Sequence, residues 1–335
     1  MNNNIKKVLL GENLTTSEAA EAMEWIMTGN ASEAQIGAYI SALRLKGETV
    51  EEITGSAVAM RNCCNKLETQ DTVIDIVGTG GDGTNTFNIS TVTSFVVAAA
   101  GVKVAKHGNR SVSSKCGSAD ILEALGANIT LSKEQNEEVL KKTNLCFMFA
   151  QVYHSAMKYV AKTRKELGIR TVFNILGPLA NPAFAQLEVM GVYDEKLIEP
   201  LAKVLLNLGV TRGMVVHGEG SVDEISIAGT TKVCEIKDGK IIKYEITPEM
   251  LGLNRVPLER VVGGDINRNK EIALSILNGE KSPCRDIVVM NAAAALYISE
   301  KRETLEESAR LAEELIDSKK AISKLNEFIK ATNNF

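Results

Sequence analysis

The feature that most restricts the fold is a change of hydrophobic period near residue 72. Upstream of it, apolar residues recur at helical spacing, as in Ala19, Met23, Ile26 and Met27, then Ile36, Ile40 and Leu43. Three such runs are preceded by capping boxes: Thr15 with Glu18, Ser32 with Gln35, and Thr49 with Glu52. In each box the hydroxyl accepts from an orphan N–H and the acid or amide reaches back, which predicts a helix start. About the first 67 residues therefore read as four short helices in a compact subdomain. At Thr72 the chain becomes β-branched, Thr72-Val73-Ile74-Asp75-Ile76-Val77, and runs into glycines, as a buried strand would. From there strand-like segments (102–105, 128–131, 145–149, 187–192 and 213–217) alternate with helical ones such as 121–125 and 133–142. Residues 233–246 read as a hairpin through Asp238-Gly239. The pattern from Thr304 onward is an amphipathic helix or helix pair. The expected fold class is α/β: a small helical domain, and a large α/β domain with a mostly parallel central sheet flanked by helices.

Composition sets limits on partners. Of 335 residues, 44% are hydrophobic and 24% charged, enough for a sizeable core. The net charge of −4 argues against a general nucleic-acid binder. The longest apolar stretch, 287–298, is interrupted by Asn291 and is too short for a membrane span, so it reads as a buried helix. Six cysteines without CxxC spacing, and no secretory h-region, point to reduced thiols in a soluble cytoplasmic protein.

The glycines form the segment Asp75-Ile76-Val77-Gly78-Thr79-Gly80-Gly81-Asp82-Gly83, with a helix expected to start near 88–90. Glycines let backbone N–H groups approach an anion, and a helix N-terminus adds partial positive charge. Taken alone, the cluster is equally a tight turn with no ligand. Two familiar phosphate loops are excluded. Gly78, Gly80 and Gly83 satisfy G-x-G-x-x-G, but Val102-Lys103-Val104 stands where an acidic ribose ligand is needed. A Walker A loop needs Gly-Lys-Ser/Thr, and here Thr84-Asn85 follows the last glycine. Downstream, Thr86, Asn88, Ser90 and Thr91 put four small polar side chains at the helix start, where one would suffice as a cap.

A second cluster follows the next predicted strand: Lys106-His107-Gly108-Asn109-Arg110-Ser111-Val112-Ser113-Ser114-Lys115-Cys116-Gly117-Ser118. A polar surface loop is the plain reading, yet three cations and four serines also suit a multiply charged phosphate. Together the two clusters resemble the paired signature of the anthranilate phosphoribosyltransferase family of tryptophan biosynthesis. His154, Arg164 and the segment from Gly168 to Pro182 resemble the family's aromatic-acid region, and Ser221-Val222-Asp223-Glu224-Ile225-Ser226 resembles its acidic metal motif. The four segments stand in family order, and the helical start and α/β body match the family's layout, so the resemblance covers nearly the whole chain. One departure is that Gln151 and Ser155 flank His154 where the family commonly has prolines.

The resemblance implies transfer of phosphoribosyl from phosphoribosyl pyrophosphate (PRPP) to the amine of anthranilate. It implies that Gly78, Gly81, Asp82, Thr86, Asn88, Ile89, Ser90, Thr91, Lys106, His107, Gly108, Asn109, Arg110, Ser111, Val112, Ser113, Ser114 and Ser118 hold PRPP. Gly78, Asn109 and Arg164 would meet anthranilate, and Ser90, Asp223 and Glu224 would coordinate Mg2+, two ions per chain. His107 and His154 are expected as pocket walls, with no residue assigned as a catalytic base, and His217 is expected to be structural. It further implies a homodimer, and a helical domain of residues 1–68, completed by helices from about 163–185, against a body of 72–335. Segments 67–71 and 163–185 would act as hinges. Two other readings compete. A pyrimidine nucleoside phosphorylase shares the architecture, but would carry Lys-His-Ser before the glycines, where this chain has Asp75-Ile76-Val77. A non-catalytic nucleic-acid-binding relative would show a basic groove and eroded motifs.

Overall fold

The computed structural model describes residues 1–111 and 115–335. Four helices open the chain: α1 (Asn2–Leu9), α2 (Thr16–Met27), α3 (Glu33–Lys46) and α4 (Val50–Asn62). All three predicted capping boxes form, on Thr15, Ser32 and Thr49. The body follows as β1 (Ile74–Gly78), α5 (Ile89–Ala99), β2 (Val104–Gly108), α6 (Ser118–Leu125), α7 (Lys133–Thr143), β3 (Leu145–Phe149) and α8 (Ala150–Tyr153). Next come α9 (Lys158–Leu167), α10 (Phe173–Leu179), β4 (Leu187–Gly191), α11 (Ile198–Asn207), β5 (Arg212–Gly218), β6 (Thr231–Lys237) and β7 (Lys240–Ile246). The chain closes with α12 (Ile266–Leu277), α13 (Pro283–Ile298), α14 (Leu305–Asp317) and α15 (Lys320–Thr332).

The seven strands form one sheet in the order β3-β2-β1-β4-β5-β6-β7. The first five are parallel, and the β6–β7 hairpin extends the edge antiparallel. From β1 the chain winds outward to β2 and β3, then returns across the sheet to β4. The carboxyl ends of β1 and β4 therefore lie at a switch point, where connections leave in opposite directions and open a crevice.

Alternate strand residues serve opposite faces. Val189 and Val216 join the core under α5 and α13, while Met190 and Val215 join a second core shared with α1–α4, α10 and α11. Val160, Phe173 and Leu176 add the 158–179 region to that second core, and α9 packs on α2 and α3. α13 is buried on nearly all sides, as its apolar run predicts.

Residues 128–131 do not form the predicted strand. Asn128 Oδ1 instead accepts from Thr130 N (3.1 Å) and Thr130 Oγ1 (3.0 Å), while Asn128 N donates to Thr332 Oγ1 (3.2 Å). This local side-chain turn takes the backbone groups a ladder would need.

Candidate active site

The glycine loop leaves β1 at the crevice with Gly80, Gly81 and Gly83 all at positive φ (69°, 73° and 78°), a path that favours glycine. Thr79 N donates to Gly191 O (3.0 Å), and Gly80 N donates to Asp223 Oδ2 (2.6 Å). Asp82 closes its own turn by accepting from Thr84 N (3.2 Å) and Thr84 Oγ1 (2.5 Å). The helix start differs from the capping expected of it. Thr86 bridges to Val262, and Asn88 sends Nδ2 to Cys116 O (3.1 Å) and does not cap α5. Ile89 is buried in the core, so only its backbone can face a ligand. Ser90 Oγ accepts from Lys106 Nζ (3.2 Å), and the buried Thr91 hydroxyl has no partner among the described residues.

The acidic motif sits directly over the switch point. Gly78 and Gly191 are paired in register on β1 and β4, and both make room for Asp223. A Cβ on Gly78 would lie 2.3 Å from Asp223 Oδ2, and one on Gly191 would lie 1.6 Å from Asp223 O. Asn291, the polar residue interrupting the α13 run, holds the next residue from below. Its Oδ1 accepts from Ile225 N (2.9 Å) and its Nδ2 donates to Ile225 O (3.0 Å). Burial, with Asp82 beside it, pushes the Asp223 carboxyl up to about 7. Burial and the neighbouring Asp223 push Glu224 up to about 8, against the opposing pull of Lys106. Three carboxyl groups and a hydroxyl crowd here with one buried ammonium, a hard-oxygen set that a divalent cation would relieve. Among the described residues, no three His, Cys, Asp or Glu side chains converge to hold a metal by themselves. Water and phosphate oxygens would have to complete the shell, as Mg2+ accepts.

The second cluster begins inside the sheet. Lys106 is buried, with Nζ donating to Ile76 O (2.5 Å), and burial lowers its basicity while Asp75 and Glu224 oppose that. His107 points to the other face. Its Nδ1 meets Gly177 O (3.2 Å), and His154 Nε2 meets Ala180 O (3.0 Å). A carbonyl only accepts, so each of these nitrogens carries the ring proton. Burial holds His107 at about 3 and His154 at about 4, so both are neutral and pack as walls, ring centroids 4.9 Å apart. Below them, buried Asp75 accepts from His107 N (3.3 Å), Ile76 N (2.9 Å) and Asn181 Nδ2 (2.6 Å), pinning β2 and the end of α10 to β1.

Beyond β2 the loop is tied to α6. A Cβ on Gly108 would collide with Ser118 Oγ at 2.2 Å. Asn109 O accepts from Ser118 Oγ (3.2 Å) and Ala119 N (3.2 Å). Asp120 collects Ser111 N (3.1 Å), Gly117 N (2.9 Å) and Arg110 Nη1 (2.9 Å). Arg110 also pairs with Glu123 (2.5 Å), so its charge is largely spent inside the loop. Val112, Ser113 and Ser114 lie outside the described residues.

Arg164 stacks its guanidinium 5.2 Å from the Phe173 ring centroid, and burial alone shifts it downward, with no carboxylate beside it among the described residues. No hydrogen bond joins it to Gly78 or Asn109 among those residues; six positions on, Arg170 donates to Gly81 O (2.5 Å). His217 is structural, with Nδ1 on Val192 O (2.8 Å).

Gly191, Asn291, Asp120 and Arg170 were not singled out as functional from sequence. Asn291 left a signal as a lone amide in an apolar run, and Arg170 lay within the Gly168–Pro182 segment without being assigned a role.

Residues 70–322 match the glycosyl transferase family a/b domain, and residues 3–64 match the helical bundle domain of the same family. The chain is 57% identical over 329 residues to anthranilate phosphoribosyltransferase of Endomicrobium trichonymphae, covering 98% of each. It superposes on the Thermus thermophilus enzyme with TM-score 0.94 at 43% identity, covering 98% of this chain and 99% of that one. With the Saccharomyces cerevisiae enzyme in complex with PRPP and Mg, the TM-score is 0.92 at 28% identity, covering 99% and 98%. On the matched helical and α/β domains and the near-complete overlap with these relatives, the chain belongs to the anthranilate phosphoribosyltransferase family.

Proposed function

We propose that this crevice performs the reaction of its family on this chain's own residues: it transfers 5-phosphoribosyl from PRPP to the amine of anthranilate, releasing pyrophosphate. The observation that carries this reading is the convergence of the glycine loop, Lys106 and the Asp223-Glu224 acids on one switch point, together with a half-buried Arg164 that has no carboxylate beside it among the described residues. Loop N–H groups and Lys106 hold phosphate, Asn109 and Ser118 shape the second loop, and Arg164 takes the acceptor carboxylate. Bound Mg2+ would neutralise charge growing on the leaving pyrophosphate, held through Ser90, Asp223 and Glu224. The neutral histidines exclude water and leave the amine lone pair free to attack C1. Positioning of two substrates then supplies much of the acceleration. The fluorescence of anthranilate should fall on mixing protein, PRPP and Mg2+; folded protein that leaves it unchanged contradicts the reading. Neither the phosphorylase nor the nucleic-acid reading draws support from the relatives.

Two Mg2+ ions per chain fit the reading, each keeping phosphate and water ligands. Because the acidic pair holds protons up to about 7 and about 8, binding must displace them. Below those values protons win, so the affinity for Mg2+ should fall as the pH drops toward about 6. Calorimetry in buffers of different ionisation enthalpy should record proton release at neutral pH; a pH-independent affinity with no release contradicts this.

The helical domain of residues 1–68 with 163–185 would close on 72–335 about hinges at 67–71 and 163–185. A homodimer through the helical domain would cover Leu9, Leu10 and Leu45, which are 64%, 77% and 88% exposed. Sedimentation velocity should show one species of twice 36.2 kDa, shifting to the monomer when all three become glutamate. No helix among the described residues is long and apolar enough to cross a membrane, and no disulfide joins cysteines among them.

A further inference from the structure

Arg170 lies outside the machinery assigned above. It stands in the short link between α9 and α10, two residues after Gly168, whose left-handed turn (φ 60°) closes α9. Gly168 N returns to Arg164 O (3.2 Å), and Thr171 N donates to Asn174 Oδ1 (2.9 Å), so both ends of the link are fixed to helices. α9 packs on α2 and α3, so the link belongs to the helical layer. From it the Arg170 side chain crosses to the sheet. There Nη2 donates to Gly81 O, and the guanidinium lies 4.1 Å from the Tyr193 ring centroid. Tyr193 N in turn donates to Thr79 Oγ1 (3.1 Å), so Arg170 grips the glycine loop both directly and through its neighbour.

The grip matters because Gly80 and Gly81 leave the backbone free to reorient. Peptide groups are planar, and no cis bond occurs among the described residues. Fixing the Gly81 carbonyl therefore directs the Asp82 N–H to the opposite side of the loop. Arg170 thus sets which face the loop turns to a ligand, and it does so from the segment that also carries Arg164.

We propose that Arg170 is a positioning residue that couples the two substrates, which rests on the reading of the crevice as the PRPP and anthranilate site. Phosphate groups that order the loop hold Arg170, and through the link they hold the end of α9 where Arg164 receives the acceptor carboxylate. By linkage, an acceptor seated on Arg164 strengthens pyrophosphate binding by the same factor.

Anthranilate and inorganic pyrophosphate with Mg2+ form a pair that cannot react, since neither carries a ribosyl group. Anthranilate fluorescence titrations with and without magnesium pyrophosphate then read the coupling directly. The native chain should bind anthranilate about fivefold or more tightly when pyrophosphate is present. Arg170→Ala should reduce that factor to within about twofold of unity while each separate affinity changes by less than about threefold. Arg170→Lys keeps a single donor without the stacked plane and should retain an intermediate factor, and it decides the matter if the alanine variant does not fold. Undiminished coupling in both variants overturns the proposal, as does loss of both separate affinities by one common factor. A native chain that turns over its substrates without coupling overturns only the role of Arg170. A native chain that binds neither ligand overturns the functional reading and this proposal together.

Discussion

Gly191→Ala is expected to lower kcat/KM for PRPP by about 100-fold or more, the cost of a misplacement of about 1 Å at a reacting centre. The added methyl would lie 1.6 Å from the Asp223 carbonyl oxygen and 2.2 Å from its carbon, so backbone must move. The acidic loop cannot simply retreat, because Asn291 clamps Ile225 by both its N–H and its C=O. The strain therefore falls on Asp223 and Glu224, and on the Gly80 N–H that Asp223 orients. Overpacking of this kind costs about 1–3 kcal/mol of stability, so melting should drop without loss of the fold. Steady-state kinetics beside thermal denaturation checks it. A variant that melts lower yet keeps full activity would show that the acids are not needed at that position.

Arg164→Ala is expected to raise KM for anthranilate about 10- to 100-fold, since hydrogen bonds to charged groups contribute about 1.5–3 kcal/mol. KM for PRPP should stay within about threefold, because the removed contact belongs to the acceptor alone. The guanidinium is stacked on Phe173 and half-buried without a carboxylate beside it, among the described residues, so a ligand carboxylate is its natural partner. Arg164→Lys should recover only part of the loss, since an ammonium cannot offer the planar fork. Equal rises in both KM values would contradict the assignment.

Much of the site was legible because its signals are local. A capping box depends on residues three apart, and Thr15, Ser32 and Thr49 all cap as their neighbours require. The strand, glycine loop and helix of 74–99 are likewise written in contiguous residues, and so is the second cluster after β2. Even there, burial altered individual parts. Arg110, one of three cations in a row of donors, is absorbed by Asp120 and Glu123, and the polar residues at the start of α5 do not cap it. Residues 128–131 look like a strand in composition, but a side-chain turn at Asn128 takes the backbone first.

By itself the sequence determined the helical start, the alternating body, the two donor-rich loops and, by resemblance, the family. Only the tertiary structure decided what seats the acids over the glycine loop. That placement depends on Gly78 and Gly191 meeting in register across β1 and β4, and on Asn291 reaching Ile225 across 66 positions. Arg170 likewise reaches Gly81 across 89 positions. Such contacts follow from strand order and burial, which no short window of residues encodes, so the crevice first seen as a run of glycines proved to be assembled from five distant parts of the chain.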